Sequence, residues 1–271
     1  MEDSVYTNLN YKLCEVEHRY GSNYHILSDP FLMTHLARLC AENTYQPAIN
    51  DLITVIYQNL VKTVLNSEFP RKKAKINSRM IQYTPHGVYE GQVLDPDIMA
   101  VAVNIARAGT VPSQICYDQF NRILNPRLVR QDHLIMNRTT DDNDKVTGAN
   151  ISGSKIGGPV ENAIVVFPDP MGATGSSLIK VLDYYKSHVE GNAKKYIAIH
   201  LIITPEYIKR VKDKYPEVIV YAIRLDRGLS TEEVLKTLPG ERWNEEVGLN
   251  QHQYIVPGGG GFGEILNNSY V

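Results

Sequence analysis

A carboxylate, several small residues and three hydroxyls stand together in Asp169-Pro-Met-Gly-Ala-Thr-Gly-Ser-Ser177. Ala173, Gly175 and Ser176 leave the backbone open to close approach, and Thr174, Ser176 and Ser177 offer hydroxyl donors. Those are the groups a phosphate monoester needs. A carboxylate beside a phosphate is repelled by it, so Asp169 is better used accepting hydrogen bonds from sugar hydroxyls or holding a cation. Phosphate plus polyol points to a ribose phosphate.

The elements that must hold these groups are legible on both sides. Ala163-Ile-Val-Val-Phe167 is an apolar, β-branched run of strand length, and the Pro, Gly and Ser cluster after it marks a tight loop that opens a helix. Leu178, Leu182, Tyr185 and Val189 recur at helical spacing, Ser176 or Ser177 can serve as N-cap, and Gly191 suits the stop. A helix N-terminus carries unpaired amides and partial positive charge, which favours a bound phosphate. Ile98 to Ile105 is a second buried-strand candidate, ending in Ala106-Arg107-Ala108-Gly109-Thr110. Arg107 there suits either bidentate anion binding or a structural ion pair. His133 to Met136 reads as a third, short strand, followed by Asn137-Arg138-Thr139. Beyond the cradle come Tyr196 to Ile203, a helix from Pro205 to about Tyr215, and the strand Val218 to Ile223. Strands alternating with helices imply an α/β fold with a mainly parallel central sheet, its ligands outside the carboxyl ends of the strands. Arg107, Arg138 and Asp169 then share one rim.

The rest of the chain reads more blandly. Residues 1–28 lack helical period and are expected to form an irregular arm, leaving 29–271 as a single domain. Asp29-Pro30 opens one helix and Gln46-Pro47 another, the latter with a broad apolar stripe. The basic run Arg71 to Lys75 is expected to be a solvated loop, and Gln82 to Gly91 a hairpin. The polar, Gly-rich stretch at 139–160 is expected to be a flexible hairpin flap, with Lys145 and Lys155 either substrate contacts from the closing flap or solvated surface lysines. Net charge is −2, with 43% hydrophobic residues over 271 positions, so nothing advertises nucleic acid and one large core can form. Cys14, Cys40 and Cys116 have no metal-like spacing and favour free thiols in a reducing compartment. With neither a signal peptide nor a membrane-length apolar run, a soluble cytoplasmic protein is the expectation. Gly258, Gly260 and Gly263 match a dinucleotide-binding pattern only on paper, because no helix has room to follow. The eight histidines lack His-x-x-x-His spacing, and His200 inside a strand reads as a satisfied core residue.

Asp169 to Ser177 resembles the phosphoribosyl-diphosphate motif of uracil phosphoribosyltransferases, in which Asp-Pro replaces the double acid of other type I phosphoribosyltransferases. Tyr254-Ile-Val-Pro-Gly258, with Leu249-Asn250 before it, resembles that family's uracil-recognition segment, and Ile105-Ala-Arg-Ala-Gly109 its diphosphate-contacting turn. The resemblance runs from roughly Asp29 to Gly263. It implies a type I phosphoribosyltransferase fold with a small hood built from N- and C-terminal segments, a homodimer or larger homo-oligomer, and transfer of phosphoribosyl from phosphoribosyl diphosphate to uracil. Met171, Gly172, Ala173, Thr174, Gly175, Ser176 and Ser177 would hold the 5′-phosphate, Asp169 the ribose hydroxyls, and Arg107 and Arg138 the diphosphate with its Mg²⁺; Asp169 and Arg107 would carry catalysis. Tyr254, Ile255, Gly260, Gly261 and Phe262 would line the uracil site, with Tyr254 packing on the sheet and its neighbours' backbone reading the base.

The chain departs from that pattern in its tail. The family continues Pro-Gly-Leu-Gly-Asp-Ala-Gly-Asp, whereas here Pro257-Gly-Gly-Gly-Gly-Phe-Gly-Glu264 places Gly261 at the first aspartate and Glu264 at the second. Phe262 adds bulk beside the base, Gly172 replaces a leucine of the cradle, and residues 230–248, with Trp243, form an insertion. The insertion has three uses open to it: capping a neighbouring element, a subunit interface or the site. Two functional readings stand: an active uracil phosphoribosyltransferase, and a relative that binds phosphoribosyl diphosphate or a nucleotide as a regulatory or binding protein.

Overall fold

The computed structural model describes residues 3–140 and 146–269, with the side chains of 137–149 outside the description. Lys145 therefore lies outside it, and so does part of the flap expected at 139–160. In chain order the elements are α1 (Ser4–Thr7), β1 (Tyr24–Ile26), α2 (Pro30–Leu39), α3 (Ala48–Glu68), β2 (Arg71–Asn77), β3 (Val88–Leu94), β4 (Ala100–Ala106), α4 (Thr110–Ile123) and β5 (Val129–Thr140). There follow β6 (Val146–Lys155), β7 (Ile164–Pro168), β8 (Met171–Gly172), α5 (Ser176–His188), β9 (Lys195–Ile203), α6 (Pro205–Lys214), β10 (Ile219–Leu225), α7 (Glu232–Leu235) and α8 (Phe262–Ile265).

The main sheet runs β1-β10-β9-β7-β4-β5-β6, with β8 added beside β9. Its pairings are parallel except β5 with β6. Parallel strands covered on both faces must be apolar on both, and β4 and β7 are. Ala100, Ala102, Ile164 and Val166 pack with α2, α3 and α4, while Val101, Val103, Val165 and Phe167 pack with α5 and α6. From β4 the chain crosses to β5 on one side; from β7 it crosses to β9 on the other. The carboxyl ends of β4 and β7 thus flank the point where the winding reverses, the crevice in which such sheets bind ligands.

Four local expectations change. The arm contributes β1, which pairs parallel with β10 through Tyr24 and Val220. The basic run is a strand, β2, because its lysines find acids across the hairpin: Lys72 reaches Asp95 at 3.0 Å and Lys75 reaches Glu90 at 2.9 Å. The hairpin's turn then falls between Asn77 and Val88, around a short 3₁₀ segment at Arg79–Gln82, and not at 82–91. The third strand is also longer than four residues: β5 extends to Thr140 because β6 pairs with it along its length. Lys155 is exposed at the start of that pairing, opposite His133.

The helix starts follow their capping residues. Asp29 accepts the amide of Leu32 at 3.0 Å with Pro30 at the first helical position, and Thr204 accepts that of Tyr207 at 3.0 Å. No helix of the described residues is long and apolar enough to cross a membrane. The insertion covers the start of α6 and the arm: the Trp243 indole donates to Pro205 O at 3.1 Å and meets Tyr20 edge-on at 5.0 Å.

Candidate active site

The loop after β7 is fixed through its backbone. Asp169 N donates to Ile199 O at 3.1 Å, and Pro170 O accepts Leu201 N at 2.9 Å. His200, buried in β9, lies 2.6 Å from Asp169 O through Nδ1 and 2.6 Å from the Tyr207 hydroxyl through Nε2. Burial lowers its pKa to about 4, so the ring is neutral near pH 7. Burial also pushes the Tyr207 hydroxyl well above its usual range. The carbonyl can only accept, so Nδ1 carries the proton and Nε2 accepts from Tyr207. His200 is thus a satisfied core residue whose use is to hold the Asp169 peptide.

The cradle continues along the end of β9. Thr204 Oγ1 donates to Ala173 O at 2.6 Å, and Met171 and Gly172 pair with Ile202 and Ile203. Gly172 is buried, and a Cβ there would lie 2.8 Å from Ile203 Cγ2 and 3.1 Å from a Tyr207 ring carbon. Tyr207 occupies the space that a leucine at 172 would need. The N-cap of α5 is Gly175, not Ser176 or Ser177, because the turn needs φ +77°, with Val211 packed beneath it. Ser176 and Ser177 are instead the first helical residues. Thr174 Oγ1 bonds Ser176 Oγ at 2.9 Å and accepts Ser176 N at 3.3 Å. Arg210, from α6, donates to Ser176 Oγ at 2.8 Å and brings a cation to the phosphate cradle. Sequence reading missed Arg210, because it lies one helix later in a polar, lysine-rich stretch.

The loop after β4 carries exposed Arg107, whose Nη1 donates to Ser269 Oγ at 2.7 Å. A Cβ on Gly109 would sit 3.1 Å from Pro168 O, so glycine allows the Arg107 and Asp169 loops to touch. Arg138 stands in β5 opposite Ala149, and its side chain lies outside the described residues.

The tail segment is tied down at both ends. Glu206 accepts Gly248 N at 2.9 Å and Leu249 N at 3.2 Å, and Leu249 bridges to Ile255. Asp226, 2% exposed, accepts Gly258 N at 2.8 Å, while Arg224 donates to Gly258 O at 3.0 Å. Arg224 and Asp226 pair with each other through two bonds, of 2.6 and 2.8 Å. One largely buried ion pair therefore grips both backbone polar groups of a residue that needs φ +62°. That clamp was also missed; its members read as the polar end of a strand. Tyr254 is 44% exposed and does not pack on the sheet, since its ring extends from a turn closed by Asn250 N to Tyr254 O. Phe262 is 2% exposed and joins the core, so its bulk is directed inward. Ile255 packs partly against the same core, Gly260 takes φ +87°, and Gly261 caps α8. A Cβ on Gly259 would meet Cys40 Sγ at 2.7 Å and Met171 Cε at 3.3 Å. The cradle and the tail loop are therefore neighbours, and the three sequence blocks converge at one end of the sheet.

A parallel α/β sheet with such a crevice defines a class, and a solved Aquifex aeolicus protein has the same fold. That match has a TM-score of 0.66 at 20% identity, covering 92% of this chain and 99% of that one. The chain belongs to the uracil phosphoribosyltransferase family, whose model matches residues 26–241. A uracil phosphoribosyltransferase from Thermococcus kodakarensis is 38% identical over 100 residues, 37% of this chain and only 34% of that protein's length. One from Dictyoglomus thermophilum is 26% identical over 241 residues, 89% of this chain and 97% of that protein.

Proposed function

We propose that the chain transfers phosphoribosyl from 5-phosphoribosyl 1-diphosphate to N1 of uracil, giving UMP and diphosphate. The observation that carries this reading is the convergence of the Arg107 loop, the Asp169–Ser177 cradle and the Pro257–Gly261 loop at the carboxyl ends of β4 and β7. The 5′-phosphate sits on the amides and hydroxyls of residues 173–177, and Asp169 accepts the ribose hydroxyls. Arg107, together with Arg138, faces the diphosphate. As the C1′–O bond to diphosphate breaks, positive charge develops on the sugar and negative charge on the leaving group; the N1–C1′ bond forms and the N1 proton passes to water or to the departing diphosphate. Positioning and charge stabilisation supply most of the rate. Mg²⁺ carried by the diphosphate would neutralise part of its charge when bound, and Asp169 is the carboxylate on this rim that could face it. Among the described residues no group of three His, Cys, Asp or Glu side chains could hold a metal alone.

Ser269 on Arg107 is displaced when diphosphate binds, because a charged acceptor outcompetes a neutral hydroxyl. Exposed Ile76, Met80 and Tyr83 around the turn of the β2–β3 hairpin support a homo-oligomer, in which a second copy covers them. A cytoplasmic location is proposed with the same reading; Cys14, Cys40 and Cys116 are free. The second reading, a regulatory nucleotide binder, draws on Gly261, which puts no acid at that position.

Arg210→Ala is expected to raise KM for phosphoribosyl diphosphate about tenfold, with KM for uracil changed less than about twofold, as the loss of one charge-assisted bond implies. Steady-state kinetics with each substrate varied in turn check this. The reaction itself is tested by offering labelled uracil, cytosine, adenine and hypoxanthine with phosphoribosyl diphosphate and Mg²⁺. UMP from uracil alone supports the reading; a purine nucleotide, or no nucleotide alongside tight diphosphate-ester binding, contradicts it.

A further inference from the structure

We infer that Asn104 is a positioning residue for Arg107, a role that rests on the proposed contact of Arg107 with the diphosphate. It holds the Arg107 turn through the hydroxyl of Thr110 and ties that turn to β5 through His133. Asn104 and Thr110 stand on either side of Ile105–Gly109 and belong to neither the cradle nor the base loop. Asn104 is the polar residue of β4, in Ala100-Val-Ala-Val-Asn-Ile-Ala106, and is 6% exposed. A buried amide among apolar strand residues is costly unless its oxygen and its nitrogen are both bonded.

Both are bonded, and to the elements on either side of the turn. Asn104 Oδ1 accepts the Thr110 hydroxyl at 3.3 Å, and Nδ2 donates to His133 Nδ1 at 3.1 Å. The amide nitrogen can only donate, so Nδ1 of His133 is the acceptor. His133 is the β5 residue paired with Asn104 in the sheet, on the strand that continues to Arg138. Thr110 is the first residue of α4, and its amide donates to Arg107 O at 3.0 Å. One threonine thus holds the Arg107 carbonyl through its backbone and Asn104 through its side chain. A second thread runs alongside: Gln131 of β5 donates to buried Ser113 Oγ at 3.1 Å, and Ser113 Oγ donates to Thr110 O at 3.0 Å. Gly109, at the N-cap of α4, offers no side-chain cap, so these side chains fasten the first turn in its place.

A purely structural use competes, in which the same bonds serve only to start α4. The two uses differ in which ligand notices their loss. Ribose 5-phosphate fills the cradle but brings no diphosphate to Arg107, whereas phosphoribosyl diphosphate brings both. Thr110→Val keeps the shape and the backbone amide and removes the hydroxyl; Thr110→Ser keeps the hydroxyl; Asn104→Leu removes both bonds of the amide. Thr110 is exposed, so its variants carry the test even where Asn104→Leu fails to fold. Circular dichroism verifies folding, and calorimetry measures each ligand in the presence of Mg²⁺.

Thr110→Val should weaken phosphoribosyl diphosphate about fivefold and ribose 5-phosphate less than about twofold, with Thr110→Ser within about twofold of wild type for both. On an Arg107→Ala background, Thr110→Val should weaken phosphoribosyl diphosphate less than about twofold further, because the side chain it positions is gone. Equal losses for the two ligands, an undiminished loss on the Arg107→Ala background, or wild-type binding by Thr110→Val would overturn the inference and leave the reaction standing. The expected binding pattern without UMP from uracil would overturn the transfer and leave the role of Asn104 standing. A wild-type chain that binds no phosphoribosyl diphosphate would overturn both.

Discussion

In the proposed transfer, Asp169→Asn is expected to lower kcat by about 10²–10³-fold, the range seen when one preorganised charge-stabilising group is removed from an active site. The loop itself should survive. Its position is set by the bonds of Asp169 N to Ile199 and of Asp169 O to His200, and neither involves the carboxylate. The loss therefore falls on chemistry. As diphosphate leaves, the sugar becomes cationic, and an anion bonded to its hydroxyls stabilises that state more than the ground state. KM for uracil should change little. An asparagine variant with wild-type kcat would remove Asp169 from the reaction.

Asp226→Ala carries the second large effect, through a different link. Asp226 is buried, pairs with Arg224 through two bonds and accepts the amide of Gly258. Its removal strands a partly buried guanidinium and frees one end of the base loop. Breaking a buried pair in this way costs about 3–5 kcal/mol of stability, measurable as a lower urea midpoint. Saturation with uracil should be lost even where the chain still folds, because Gly258 has no other described acceptor for its N–H. Asp226→Asn keeps an acceptor oxygen and should give a smaller loss in both measures. Unchanged stability and uracil kinetics in Asp226→Ala would dissolve the clamp.

The cradle was legible in sequence because each part of it depends on residue type. The β-branched run needs a buried strand, the small residues need a close turn, and Leu178, Leu182 and Tyr185 need a helix. The starts of α2 and α6 were legible for the same reason, since Asp29-Pro30 and Pro205 mark them locally. What stayed hidden depends on partners far along the chain. The basic run became a strand only because Asp95 and Glu90 wait across the hairpin. Ser176 lost the cap to Gly175 because the turn sits over Val211, which no local pattern announces. Arg210 and the Arg224–Asp226 clamp reach the site from neighbouring elements, and charged residues at such positions look like solvated surface. Phe262 illustrates the opposite error: beside a glycine run it reads as a ligand contact, yet α8 turns it into the core.

The central claim is tested most directly by a single-turnover experiment. Wild-type protein in excess is mixed with uracil, Mg²⁺ and phosphoribosyl diphosphate labelled in the β-phosphate, and both products are followed in time. UMP and labelled diphosphate appearing together, one for one and only when uracil is present, is the predicted result. Diphosphate released without UMP, or neither product despite saturable binding of phosphoribosyl diphosphate, would contradict it.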